Sequence, residues 1–225
     1  MPFFSLNFIL FLILVFFCRP AFSLFINSDV SSMDSSDAFI SKSYVNDTKK
    51  VNLYTLRIYK LDKPGRHEND ESIVNGEVIF TPLKKLLSPG EQEFFKIFYR
   101  GKKDNKERYY KLVISETPLD MKNSGGNYKN NLFYPTINLE SYFIVRPANP
   151  LFNYQIDQEN GSIKNTGNTY FRILLHKSCK IDDDESPDML YLLPNQIYKN
   201  NTMKNKSRKY IVIFDKFYSI GNCAL

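Results

Sequence analysis

Residues Leu53 to Leu61 read LYTLRIYKL and end at Asp62-Lys63-Pro64-Gly65; residues Glu93 to Tyr99 read EFFKIFY and follow Ser88-Pro89-Gly90. Along both the periodicity is two rather than 3.6, which places successive side chains on opposite faces of a strand and gives no helical stripe. The punctuation agrees: Pro89 suits the second and Gly90 the third position of a type II turn. The same grammar recurs outward. Glu77 to Thr81 precedes Pro82, Arg108 to Ser115 ends at Glu116-Thr117-Pro118, and Ile137 to Val145 ends at Arg146-Pro147. A second series comprises Phe152 to Ile156, Gly161 to Lys164, Tyr170 to His176, Leu190 to Leu192 and Lys209 to Ile220. Tyr, Phe, Ile and Val dominate, as a pleated, half-buried surface favours. Many short strands with Pro, Gly and Asn turns predict an all-β protein of antiparallel sandwiches. Pro147-Ala148-Asn149-Pro150 is the best boundary, dividing a longer first domain from a shorter second one.

The 225 residues are 43% hydrophobic and 15% aromatic, too apolar for a disordered chain. Phe3 to Phe17 is almost wholly apolar and is closed by Arg19-Pro20 and a small-x-small site at Ala21 and Ser23, which reads as a secretory signal at 1–23. A membrane-spanning helix wants about 20 apolar residues, more than this run supplies. Export removes Cys18 and leaves Cys179 and Cys223, an even pair that in an oxidising compartment is most simply one disulfide; two buried thiols are the alternative. With 30 Lys+Arg and 24 Asp+Glu, the chain loses only Arg19 among its charges and becomes 29 − 24 = +5. That balance permits acidic partners without requiring them. The basic loops Lys102-Lys103-Lys106 and Lys204-Lys206-Arg208-Lys209 read as solvated faces, not a nucleic-acid surface. Asp182-Asp183-Asp184-Glu185 lacks the spacing and central glycine of a calcium loop. Neither His67 nor His176 lies in a nucleophile motif, there is no Cys/His cluster, and the composition points to no enzyme, no cofactor and no metal.

Several stretches carry a resemblance: Asn75-Gly76-Glu77 through Pro82, Leu87-Ser88-Pro89-Gly90, Asp104 to Tyr110 (DNKERYY), Asn160 to Phe171 (NGSIKNTGNTYF) and Phe214-Asp215-Lys216-Phe217. The placing of Cys179 and Cys223 fits as well. In these the chain resembles the periplasmic pilus (fimbrial) assembly chaperones, and within them the alternate branch that serves the common pilus. The resemblance implies two immunoglobulin-like β-sandwich domains in an L-shaped arrangement, 24–147 and 148–225, behind the signal peptide. It implies a periplasmic protein whose partners are pilin subunits and an outer-membrane usher, with no stable membrane insertion after signal cleavage.

The family's interdomain ion cluster falls on Glu107 in Lys106-Glu107-Arg108, on Arg146 in Val145-Arg146-Pro147, and on Asp215. A guanidinium bridging two carboxylates fixes geometry through directional bonds more than it adds stability. The basic pair with which such chaperones hold a subunit's terminal carboxylate falls on Ser31 and Tyr142, neither of them cationic. Strand donation needs no such pair: an extended strand adds main-chain hydrogen bonds to an incomplete sandwich and inserts alternate side chains. Phe133, Pro135, Ile137, Leu139 and Ser141 share one strand face. Phe133, Ile137 and Leu139 are therefore the expected donors, with Tyr142 beside them; the alternative is that this face packs into the protein's own core. Outside the family, the competing reading is an exported two-domain adhesion or carbohydrate-binding protein.

Overall fold

The computed structural model describes residues 30–34, 36–64, 71–72, 76–119, 135–180 and 185–223. The expected signal peptide at 1–23 and the expected donor Phe133 lie outside these residues.

The strands run β1 (Val30–Met33), β2 (Ile40–Val45), β3 (Asn52–Leu61), β4 (Glu71–Ser72), β5 (Val78–Thr81), β6 (Lys84–Leu87), β7 (Gln92–Tyr99), β8 (Arg108–Pro118) and β9 (Ile137–Val145). They continue with β10 (Tyr154–Asp157), β11 (Ser162–Asn165), β12 (Phe171–Leu175), β13 (Asp188–Leu192), β14 (Ile197–Lys199), β15 (Lys209–Ile213) and β16 (Lys216–Ser219). One sheet is ordered β1-β9-β8-β3-β4, with β6 also on β3, and faces a sheet β2-β7-β5; a second pair, β10-β11-β14 and β13-β12-β15-β16, follows. No strand is shared between the two pairs, so the fold is two immunoglobulin-like β-sandwiches.

Alternation in the sequence becomes burial here. Tyr54, Leu56 and Ile58 of β3 meet Phe95, Ile97 and Tyr99 of β7 and Tyr110, Leu112, Ile114, Phe143 and Val145 in the first core. Fully burying a side chain such as Phe143 contributes about 1.5–3 kcal/mol. The second core gathers Ile163, Phe171, Ile173, Leu175, Leu192 and Ile211. Gly90 has φ +77°, as the third position of a type II turn demands, and the Glu91 N–H donates to the Ser88 carbonyl at 3.0 Å.

β8 is buried on both faces, because its inward residues join the first core while Tyr109 joins a third cluster with Leu61, Ile144, Tyr170 and Leu193. Tyr170 and Leu193 belong to the second sandwich, so this cluster cements the two units. The disulfide Cys179–Cys223 is formed and ties the end of the second sandwich to the loop after β12. Among the described residues, no helix is long and apolar enough to cross a membrane.

Candidate functional site

β9 pairs with β8 along its whole length, from Ile137↔Glu116 to Val145↔Arg108, but with β1 only from Tyr142 to Val145, in parallel. Among the described residues, nothing pairs with the outer edge of 137–141. Backbone groups on such an edge are a template for another strand. Ile137 is exposed (38%), and Asn138 and Glu140 are exposed beside it. Leu139 is half-buried and packs against the first core, and Ser141 is buried. The predicted donor face is thus open at Ile137 and turns progressively into the protein's own core. Tyr142 is half-buried, opposite Val30 and Lys111 in register, and the Ser31 hydroxyl donates to its carbonyl at 3.2 Å.

The junction between the sandwiches is built from two loops. In the first, Arg108 clamps Asp104 with two N–H···O contacts of 2.8 Å, and the Asp104 carbonyl accepts the Ala148 N–H at 2.8 Å. Arg108 holds the Asp104 carboxyl well below the usual range. In the second, the buried Asn165 amide donates to the carbonyls of Thr169 and Leu192, both at 2.9 Å, and accepts the Gly167 N–H at 2.9 Å. Gly167 is required by close approach: a Cβ there would stand 2.1 Å from the Leu151 carbonyl oxygen.

These loops bring Glu107 to Thr169 and Tyr170. The Thr169 hydroxyl and the Tyr170 N–H donate to Glu107 Oε2, the latter at 2.9 Å, and the Tyr109 hydroxyl donates to Oε1 at 2.8 Å. Burial nevertheless pushes the Glu107 carboxyl above its ordinary value, against these donors and the nearby Arg146 charge. Burial, with the Glu107 charge, also drives the Tyr109 phenol far up. Arg146 is 6% exposed; its Nη1 donates to the Thr169 hydroxyl at 2.7 Å and to the Tyr170 carbonyl at 3.3 Å. Its guanidinium lies 4.3 Å from the Tyr170 ring centroid and 4.8 Å from that of Phe214, and its Nε is 3.7 Å from Asp34.

Of the three expected ion-cluster residues, Glu107 and Arg146 meet through Thr169 and Tyr170. Asp215 stands apart on Arg172, its Oδ1 accepting from Nη2 at 2.6 Å. Thr169, Tyr170, Arg172 and Phe214 have no site role legible in the sequence; Thr169 and Tyr170 lie within NGSIKNTGNTYF and Phe214 within Phe214-Asp215-Lys216-Phe217, but no sequence signal marks Arg172. Of the basic run read as a solvated face, Lys209 is buried, and burial lowers its pKa. Glu185, from the acidic run, accepts the Lys177 N–H at 2.6 Å and has His176 and Arg208 each 3.4 Å away; Asp182 to Asp184 lie outside the described residues.

Two β-sandwiches joined through the enclosed Arg146 guanidinium and the Glu107 carboxylate, with an open strand edge at the far end of β9, define a two-domain protein of the immunoglobulin-like class. The chain is 33% identical over 195 residues to a probable fimbrial chaperone, EcpE, of Escherichia coli O18:K1:H7, covering 85% of this chain and 81% of the relative. It therefore belongs to the fimbrial chaperone family. A second relative, the probable fimbrial chaperone EcpB of Escherichia coli O139:H28, is 28% identical over 210 residues, 89% of this chain and 92% of that one. No protein-family model matches the chain. Among solved structures, the class 5 fimbriae chaperone CfaA superposes with a TM-score of 0.54 at 18% identity, covering 89% of this chain and 94% of that one. A chain of the CsuC–CsuE chaperone–tip adhesion subunit complex of Acinetobacter baumannii gives 0.54 at 16%, covering 88% and 97%.

Proposed function

We propose that the protein is a periplasmic chaperone that binds pilin subunits by donating the β9 edge to their incomplete sandwich and delivers them to an outer-membrane usher for pilus assembly. The observation that carries this reading is the open edge at 137–141, where main-chain groups and the exposed Ile137 are offered together. Strand addition uses both: main-chain bonds give affinity, and alternate side chains entering pockets give specificity. It acts by binding, not catalysis. Residues 24–147 would form the subunit-gripping domain and 148–225 the second, with Glu107 and Arg146 setting how the two meet.

The test is co-purification from periplasm with a pilin subunit of the same organism, using wild type and Ile137→Asp. An aspartate pressed into an apolar groove costs several kcal/mol, enough to abolish a micromolar complex. Because Ile137 is already exposed, the free variant should fold and melt like wild type. Wild type should hold its subunit and protect it from proteolysis, and the variant should not. A wild type that captures no subunit, or a variant that captures it equally well, overturns the proposal.

A further inference from the structure

The sheet β13-β12-β15-β16 is apolar on both faces. Phe171, Ile173, Leu175 and Ile211 fill the second core, and the side chains alternating with them lie on the other face. Cross-strand register makes that face contiguous: Leu174 lies between Met189 and Tyr210, Arg172 between Tyr191 and Val212, and Val212 beside Phe217. Met189 is 53% exposed and Phe217 62%. The Phe217 and Tyr210 rings meet edge to face, their centroids 6.3 Å apart. An antiparallel sheet ordinarily turns one apolar face inward and a polar one to water. Here charged groups stand at the two ends of the outer face, Arg172 with Asp215 at one and His176 and Arg208 with Glu185 at the other. A contiguous apolar patch with a polar rim marks an interaction surface.

Size and position say what it binds. Four strands about 4.8 Å apart and about 17 Å long give a footprint of roughly 300 Å2. A stable complex buries about 800 Å2 on each partner. The face is therefore too small to hold a second copy of this chain by itself, and it suits a partner already held elsewhere. Tyr191, at its corner, also lines a cavity of about 370 Å3 together with Tyr142 and Ile144 of β9. A neighbouring cavity of about 310 Å3 joins Arg172, Tyr191 and Val212 to Val30 and Ser32 of β1. Surface thus continues from β9 across the junction onto the second sandwich, so a body held on β9 reaches it.

We propose that this outer face is a second grip on the pilin subunit whose sandwich β9 completes. Apolar side chains on the subunit's outer surface pack on Leu174, Met189, Tyr210 and Phe217 while its groove takes the β9 edge. The proposal rests on the chaperone reading above. Two contacts on one body act through effective concentration: the second adds little area but slows release, because both must open together.

The complex with a pilin subunit of the same organism is purified from periplasm, using wild type and the double variant Met189→Glu, Phe217→Glu. Release is followed as transfer of the subunit to an excess of wild-type chaperone carrying a different tag. Both side chains are more than half exposed, so the variant should melt like wild type. It should capture the subunit but release it about tenfold faster, as loss of a central apolar contact does. A second reading needs no variant. Peroxide should oxidise Met189 in the free protein and about tenfold more slowly in the complex, with the buried Met33 and Met203 as unreactive references. Equal release by variant and wild type, or equal oxidation of Met189 with and without subunit, overturns the second grip and leaves the chaperone reading. A wild type that captures no subunit removes both. A dimer of the free protein that the variant abolishes, with release unchanged, overturns the proposal in favour of a second copy.

Discussion

Replacing Arg146 by Ala removes a guanidinium that is almost wholly enclosed, donates at 2.7 Å to Thr169 and 3.3 Å to Tyr170, and stacks on two rings within 5 Å. Each hydrogen bond from a charged donor is worth about 1.5–3 kcal/mol, and a desolvated cation–π contact about 2 kcal/mol. The sum overshoots, because the variant no longer bears the cost of burying the cation. Losing a buried charge from such a cluster costs about 3–5 kcal/mol in total, and here the Glu107 carboxylate keeps its three donors but loses the nearby cation. Arg146 touches the second sandwich from the end of the first, so the loss should fall on their coupling. Urea denaturation followed by hydrogen exchange of β3 and β12 amides separates the two units. Wild type should lose both strands in one transition. Arg146→Ala should lose about 3–5 kcal/mol and show two, and Arg146→Lys, which keeps the charge without the planar fork, should recover only part. A loss under about 1 kcal/mol with coincident transitions would refute the reasoning.

Other outcomes follow from the same geometry. Because burial raises the Glu107 carboxyl, the folded chain binds more protons than the unfolded one from the ordinary value of 4.5 up to the raised one. The contribution of this group to stability therefore falls as pH rises through that window. Glu107→Gln should abolish this component, so the difference in unfolding free energy between variant and wild type, measured from about pH 4 to 7, should grow in the variant's favour with pH. A flat difference would contradict it. Changing Cys179 and Cys223 together to Ser opens a link spanning 44 residues and should cost about 2–4 kcal/mol in thermal denaturation, concentrated in the second sandwich. An unchanged melting temperature would show the link to be energetically idle.

Much of this architecture is written in the period of two. Ile137 to Val145 matches β9 because a strand-like run rich in Ile, Phe, Tyr and Val ends at Arg146-Pro147, and Leu53 to Leu61 differs from β3 by one residue. Strands with weaker patterning escaped: β1 (Val30–Met33), β2 (Ile40–Val45), β6 (Lys84–Leu87) and β14 (Ile197–Lys199) are short or polar and are held by their neighbours rather than by propensity. Lys209 to Ile220 reads as one segment but folds as two, because Phe214-Asp215 turns without the Gly or Asn that marks such hairpins. At the junction, Glu107 and Arg146 were reachable only through the family resemblance. That Thr169 relays between them, and that Asp215 sits on Arg172, depends on where two distant loops meet, which local pattern does not encode. The donor face was half legible: a period of two groups Ile137 with Leu139, but which end of β9 outruns β1 is a matter of register.

The central claim is that the uncovered edge of β9 is where a subunit is bound, and hydrogen exchange of β9 with and without subunit tests it most directly. In the free protein, the outward-facing amides within 137–141 should exchange rapidly while those of Tyr142 to Val145, covered by β1, are protected. On adding a pilin subunit, the 137–141 amides should become protected to the level of a paired strand. Protection that appears on other strands and leaves 137–141 exchanging freely would contradict the account.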